Sequence, residues 1–184
     1  MYDIFETEMK RLNATAMGRR SNPTDSQLRQ LEVVLGISFP VDYRHFLANF
    51  GRFSVRAETP SKTLPGAYIE YFYGFPEQGS IDPESVGEFD ELGLAPTAVT
   101  IGCDLFGNQF VMFLDEQRKG RIYVHEHDGG VDFMDDPDWK SSGLNWNDLP
   151  RYDDSSNKPE AFQNLHFIAP SFSDFLGALR PIET

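Results

Sequence analysis

Four consecutive side chains, His125-Glu126-His127-Asp128, have the types that could do chemistry. On a strand, residues two apart point to the same face, so His125 and His127 could share a metal ion. A zinc site takes four ligands, or three and a water. The other soft donors are His45, His166 and the single cysteine, Cys103, and no spaced Cys or His pair accompanies them. No metal and no cofactor is therefore expected, and the plain reading of His125 and His127 is the partly exposed edge of a strand.

Gly102 to Gly107 has the glycine spacing of a phosphate loop. It lacks the Lys and Ser/Thr that must follow, and it leads into a strand rather than a helix. Cys103 with His125 or His127 could form a thiol–imidazole pair. Nothing in the sequence brings them together, and a lone cysteine usually behaves as a small buried hydrophobe. Carboxylates are so abundant that any dyad can be drawn, and such clusters are ordinarily solvated surface. The residues thus point away from an enzyme.

Net charge is -13, and its placement is uneven. Asp82 to Glu160 holds 18 acids against 6 bases, a net -12; the rest holds 11 against 10. Such a surface repels nucleic acid and favours a basic partner, although acidity also serves solubility alone. The chain has 184 residues, 40% hydrophobic and 14% aromatic. That suits one domain with a proper core, over 1–184. No apolar run is long enough to span a membrane. The first residues, MYDIFETEMKRL, include acids and no apolar stretch, unlike a signal peptide. With a single cysteine, a cytoplasmic location is expected.

The elements that must position these groups are legible in part. Ile4, Phe5, Met9, Leu12 and Ala16 suggest a helix over 2–17. Thr24 with Gln27 forms a capping-box pattern, and Leu28, Leu31, Val34 and Leu35 then recur at helical spacing up to Gly36. Pro40 opens a second helix on which Tyr43, Phe46, Leu47 and Phe50 share a face before Gly51. Strands follow from Phe53, over Ala67–Tyr73 and Ala98–Ile101, then Gln109–Leu114 and Arg121–His127, with Val131–Met134 as a candidate fourth strand of that run. Between them, 80–94 is expected to be a short acidic helix or an ordered loop. Short connections between consecutive strands make an antiparallel meander. Ser171 with Asp174 is another capping box, and Phe172, Phe175, Leu176 and Leu179 give a closing helix ended by Pro181.

The order of these signals resembles the Smi1/Knr4 (SUKH) family. The resemblance rests on Leu35-Gly36, Phe39-Pro40, Asp42-Tyr43, Phe46-Leu47 and Gly51, on the turn Asp104 to Asn108, and on the tail Ser171-Phe172 with Phe175-Leu176. One departure is Phe50 where members often carry Asn before the glycine; Asn49 stands one place early. The resemblance supports an α+β fold: one twisted, mainly antiparallel sheet packed against N-terminal and C-terminal helices. It also implies a function. Bacterial members are typically immunity proteins that bind and block a toxin, commonly a nuclease, of a contact-dependent or polymorphic toxin system. Fungal relatives act in cell-wall regulation through protein partners. The expectation is an immunity protein for a basic toxin; a non-catalytic interaction module of the Smi1/Knr4 type is the alternative, ahead of a small metal-binding protein or enzyme.

Residues 135–160 lie outside that resemblance. They are rich in Asp, Ser, Asn and Pro and hold both tryptophans. They read as an acidic surface insertion between sheet and last helix. Long loops in compact domains tend to be functional. Asp135, Asp136, Asp138, Trp139, Trp146, Asp153 and Asp154 are the expected partner contacts, the tryptophans as anchors or as pins that hold the loop.

Overall fold

The computed structural model describes residues 2–17, 23–62, 64–75, 83–90, 92, 94–127 and 165–182. Helix α1 is Tyr2–Arg11. It is shorter than its apolar spacing suggests: Asn13 adopts a positive φ of 52°, and Thr15–Ala16 becomes a short strand, β1, antiparallel to β2, Phe53–Glu58. Phe5, Met9 and Leu12 are buried, whereas Ile4 is exposed.

Helix α2, Asp25–Leu35, begins with the capping box: Gln27 N–H donates to Thr24 Oγ1, and the Thr24 N–H donates to Gln27 Oε1. Gly36 takes the left-handed conformation that ends it. Leu28, Leu31 and Leu35 face inward, but Val34 does not, because only one narrow stripe of so short a helix reaches the core. Helix α3, Val41–Phe50, follows Pro40 and buries Tyr43, Phe46, Leu47 and Phe50. Gly51 closes it at φ 51°, ψ −147°, a backbone region open essentially to glycine alone. A Cβ on Gly74 would lie 2.3 Å from the Gly51 carbonyl carbon, so the two glycines let these backbones touch.

Among the described residues the remaining elements are β3, Tyr68–Phe72; α4, Pro83–Phe89; β4, Ala98–Cys103; β5, Gln109–Phe113; β6, Ile122–His125; β7, Leu165–Ala169; α5, Phe172–Ala178; and β8, Arg180–Pro181. The 80–94 stretch thus contains a helix. The strands form one sheet in chain order β1 to β7, every pair antiparallel, with β8 beside β2. Strand β7 is absent from the expectation above. Its short alternation, Leu165 to Ala169, adjoins the polar insertion and was overshadowed by it. The chain therefore returns to the sheet, not directly to the last helix.

One face of the sheet carries Phe53, Val55, Ala57, Ile69, Phe72, Val99, Ile101, Phe110, Met112, Ile122 and Val124 into a core shared with the five helices of the described residues. Phe172 and Phe175 of α5 sit centrally, with the Phe172 ring 4.8 Å from both Tyr43 and Phe46. Arg11 at the end of α1 donates to the carbonyls of Leu176 and Leu179, filling acceptors that the end of α5 leaves open. The opposite face has its own smaller cluster: Leu94, Ala98, Val111, Phe113 and Tyr123.

Candidate functional site

Strand register gathers the chemistry-bearing residues at one end of the sheet. Cys103 pairs with Gln109, Gln109 with His125, and His125 with Leu165. The turn between β4 and β5, the end of β6 and the start of β7 therefore share that end.

Asp104 organises the turn. Its carboxylate accepts from the Phe106 N–H at 2.7 Å, the Asn108 N–H at 2.9 Å and the Asn108 side-chain amide at 2.6 Å. Asn108 Oδ1 in turn accepts from the His127 N–H at 2.7 Å, which ties the turn to the end of β6. Gly107, at φ +93°, sits against the His127 ring. The side chains between, Leu105 and Phe106, point outward and are 59% and 68% exposed. This apolar pair is not among the partner contacts expected from the sequence, where Gly102 to Asn108 reads as a phosphate-loop spacing and a family-like turn. Its signal was two large apolar residues flanked by turn formers.

His125 and His127 do not behave alike. His127 is exposed, as an edge residue would be, but His125 is buried on a strand flanked by β5 and β7. The expected exposed edge is corrected for His125, because β7 covers it. Burial pushes the His125 imidazole down to about 4, helped by neighbouring His127 and His166. It is thus a neutral interior group. Glu126 lies 3.6 Å from His166 Nε2. Among the described residues, no group of three His, Cys, Asp or Glu side chains is placed to hold a metal ion. Cys103 lies two strands from His125 in the register, about 10 Å apart along the hydrogen-bonding direction, too far for direct proton transfer.

The geometry is therefore that of a framed surface: a braced turn with an apolar tip, next to a buried histidine. Glu70 and Tyr73, on the sheet, are half-buried, and the Tyr73 hydroxyl is 3.2 Å from Gln109 Oε1. Asp135, Asp136, Asp138, Trp139, Trp146, Asp153 and Asp154 lie outside the described residues, as does Val131–Met134. No helix among the described residues is long and apolar enough to cross a membrane.

The family model for the SMI1 / KNR4 family (SUKH-1) matches residues 22–178. No curated protein matches the chain.

Proposed function

This chain belongs to the SMI1/KNR4 (SUKH-1) family, and from that premise we propose that it is an immunity protein that binds and neutralises a basic toxin. The family is generally made of non-catalytic immunity and interaction modules, which agrees with an α+β scaffold in which His125 is a neutral interior group and His127 lies on the surface. The observation that carries the reading is family membership; the acidic charge sharpens it toward a basic nuclease. Such a toxin must present cations to its nucleic acid, and an acidic inhibitor can occupy that surface and find it quickly through long-range attraction.

In this reading the chain is one domain over 1–184, acts in the cytoplasm and uses the acidic insertion at 135–160 for contact. Asp135, Asp136, Asp138, Asp153 and Asp154 steer the partner in, and Trp139 and Trp146 anchor it. The test is a binding measurement between this protein and the product of a neighbouring toxin-like reading frame, made catalytically inactive. Tight, salt-sensitive one-to-one binding is expected. Absence of such a frame, or of binding, would instead favour a regulatory interaction module of the Smi1/Knr4 type.

A further inference from the structure

We propose that the β4–β5 turn is a second docking point, at which Leu105 and Phe106 enter an apolar pocket on a basic protein partner. This rests on the partner-binding reading above and deepens it by naming a surface within the described fold.

The first observation is exposure. Leu105 and Phe106 stand side by side at 59% and 68% exposed, and the Phe106 ring meets the half-buried Tyr68 edge-on with centroids 5.9 Å apart. The exposed Leu105 adjoins this Phe106–Tyr68 contact in the chain. Burying a side chain such as Leu or Phe yields roughly 1.5–3 kcal/mol, which this fold forgoes at both positions.

The second observation is that the turn does not need them. Asp104 is only 5% exposed, and it holds the turn through the Phe106 and Asn108 backbone N–H groups and the Asn108 amide. Asn108 fixes it further to the His127 backbone. None of these bonds uses the side chain of residue 105 or 106, so polar residues would form the same turn. The bracing matters for binding: an anchor already held in place loses little conformational entropy when it docks. Aromatic side chains in this role are frequent hot spots.

Charge selects the occupant. The turn lies within the 82–160 stretch of net -12. Glu126 follows β6 at this end of the sheet. In the sequence, residues 128–164 hold 9 acids and 3 bases, a net -6; His125 and Leu165, on either side of that stretch, pair at this end of the sheet. An apolar tip in such surroundings suits a pocket rimmed by Lys and Arg. Anionic lipid surfaces and nucleic acids are repelled by the same field.

The test replaces Phe106 with a photo-crosslinking phenylalanine analogue in the full chain expressed in its own cells. A control places the same probe at Val33, 78% exposed on α2. Mass spectrometry then identifies the captured molecule and the attached residue. The expected result is one basic protein, captured from position 106 and not from 33, attached at apolar residues next to Lys or Arg. With that protein purified, Phe106→Ser and Leu105→Ser should each raise the dissociation rate about tenfold or more, with unchanged circular dichroism and urea midpoint. No capture from position 106, capture of an acidic protein or a lipid, or unchanged dissociation in folded variants overturns the proposal. The two readings fail separately. A captured basic protein that is no toxin ends the immunity reading and leaves the docking point. A toxin that binds the chain yet is captured only from Val33 does the reverse.

Discussion

Asp42 and Ser173, 131 residues apart, are joined by two hydrogen bonds: Asp42 Oδ2 accepts from the Ser173 backbone N–H at 3.0 Å and from its hydroxyl at 3.2 Å. The other oxygen accepts from the Tyr43 N–H at 2.9 Å. Asp42 stands in the first turn of α3, and Ser173 in the first turn of α5. One carboxylate thus serves the open N–H groups of two helix starts, where negative charge is also favoured. Ser171, the N-cap, satisfies the next N–H, that of Asp174.

This contact gives the first prediction. Asp42→Ala should destabilise the fold by about 1–3 kcal/mol, and Ser173→Ala by less, since the hydroxyl is one donor of two. The double variant should lose clearly less than the sum, with a coupling of about 0.5–1.5 kcal/mol. Urea melts of the four proteins check this; strict additivity would mean that the helices are held together by their rings alone.

The second concerns the aromatic centre. Phe46 is fully buried, stacked 5.5 Å from Phe50 and packed against Phe72 and Phe172. Phe46→Ala should cost about 3–5 kcal/mol and Leu47→Ala about 2–5 kcal/mol through the cavities left behind. A loss below about 0.5 kcal/mol in the same melts is the magnitude of a surface change and would contradict the packing.

Why these positions could be read in the sequence, and others not, follows from the range of the forces. The α2–α3 pair is written locally: capping box, Gly36, Pro40, and an apolar stripe ending at Gly51. The same holds for α5, with Ser171, Asp174 and its phenylalanines. The contact between Asp42 and Ser173 is not local, and neither residue hints at the other. Strand β7 was missed because five residues of modest alternation depend on pairing with β6, which no local pattern reveals. Helix α1 was read too long because Ala16 fits a helical spacing equally well as a strand partner of Phe53. The burial of His125 is likewise a consequence of β7.

A third prediction concerns pH. His125 ordinarily titrates near 6.5 and is pushed down to about 4 in the fold by burial. Between those values the unfolded chain binds a proton that the folded chain does not. Stability from this group is therefore complete above about pH 6.5 and declines as pH falls toward 4. From pH 7 to pH 5 the loss should be about 2 kcal/mol. His125→Gln should remove most of that difference, whatever its effect at pH 7. An equal pH dependence in the variant would place the titrating group elsewhere.

The fourth addresses the insertion. Neutralising Asp135, Asp136 and Asp138 to Asn should lower the association rate with the partner and flatten its salt dependence. Trp139→Ala or Trp146→Ala should instead raise the dissociation rate. Stopped-flow or surface-based kinetics at two salt concentrations separate these effects, with circular dichroism confirming folded variants. Unchanged rates in both kinds of variant would leave the insertion as a solubilising cover.

The most direct test of the immunity account is inhibition itself. The active product of the neighbouring toxin reading frame is assayed on nucleic acid while this protein is titrated in. The account predicts that activity falls in proportion to added protein and vanishes at one equivalent, with the Phe106→Ser protein needing a clear excess. Full toxin activity in the presence of a large excess of the folded wild-type protein would contradict it.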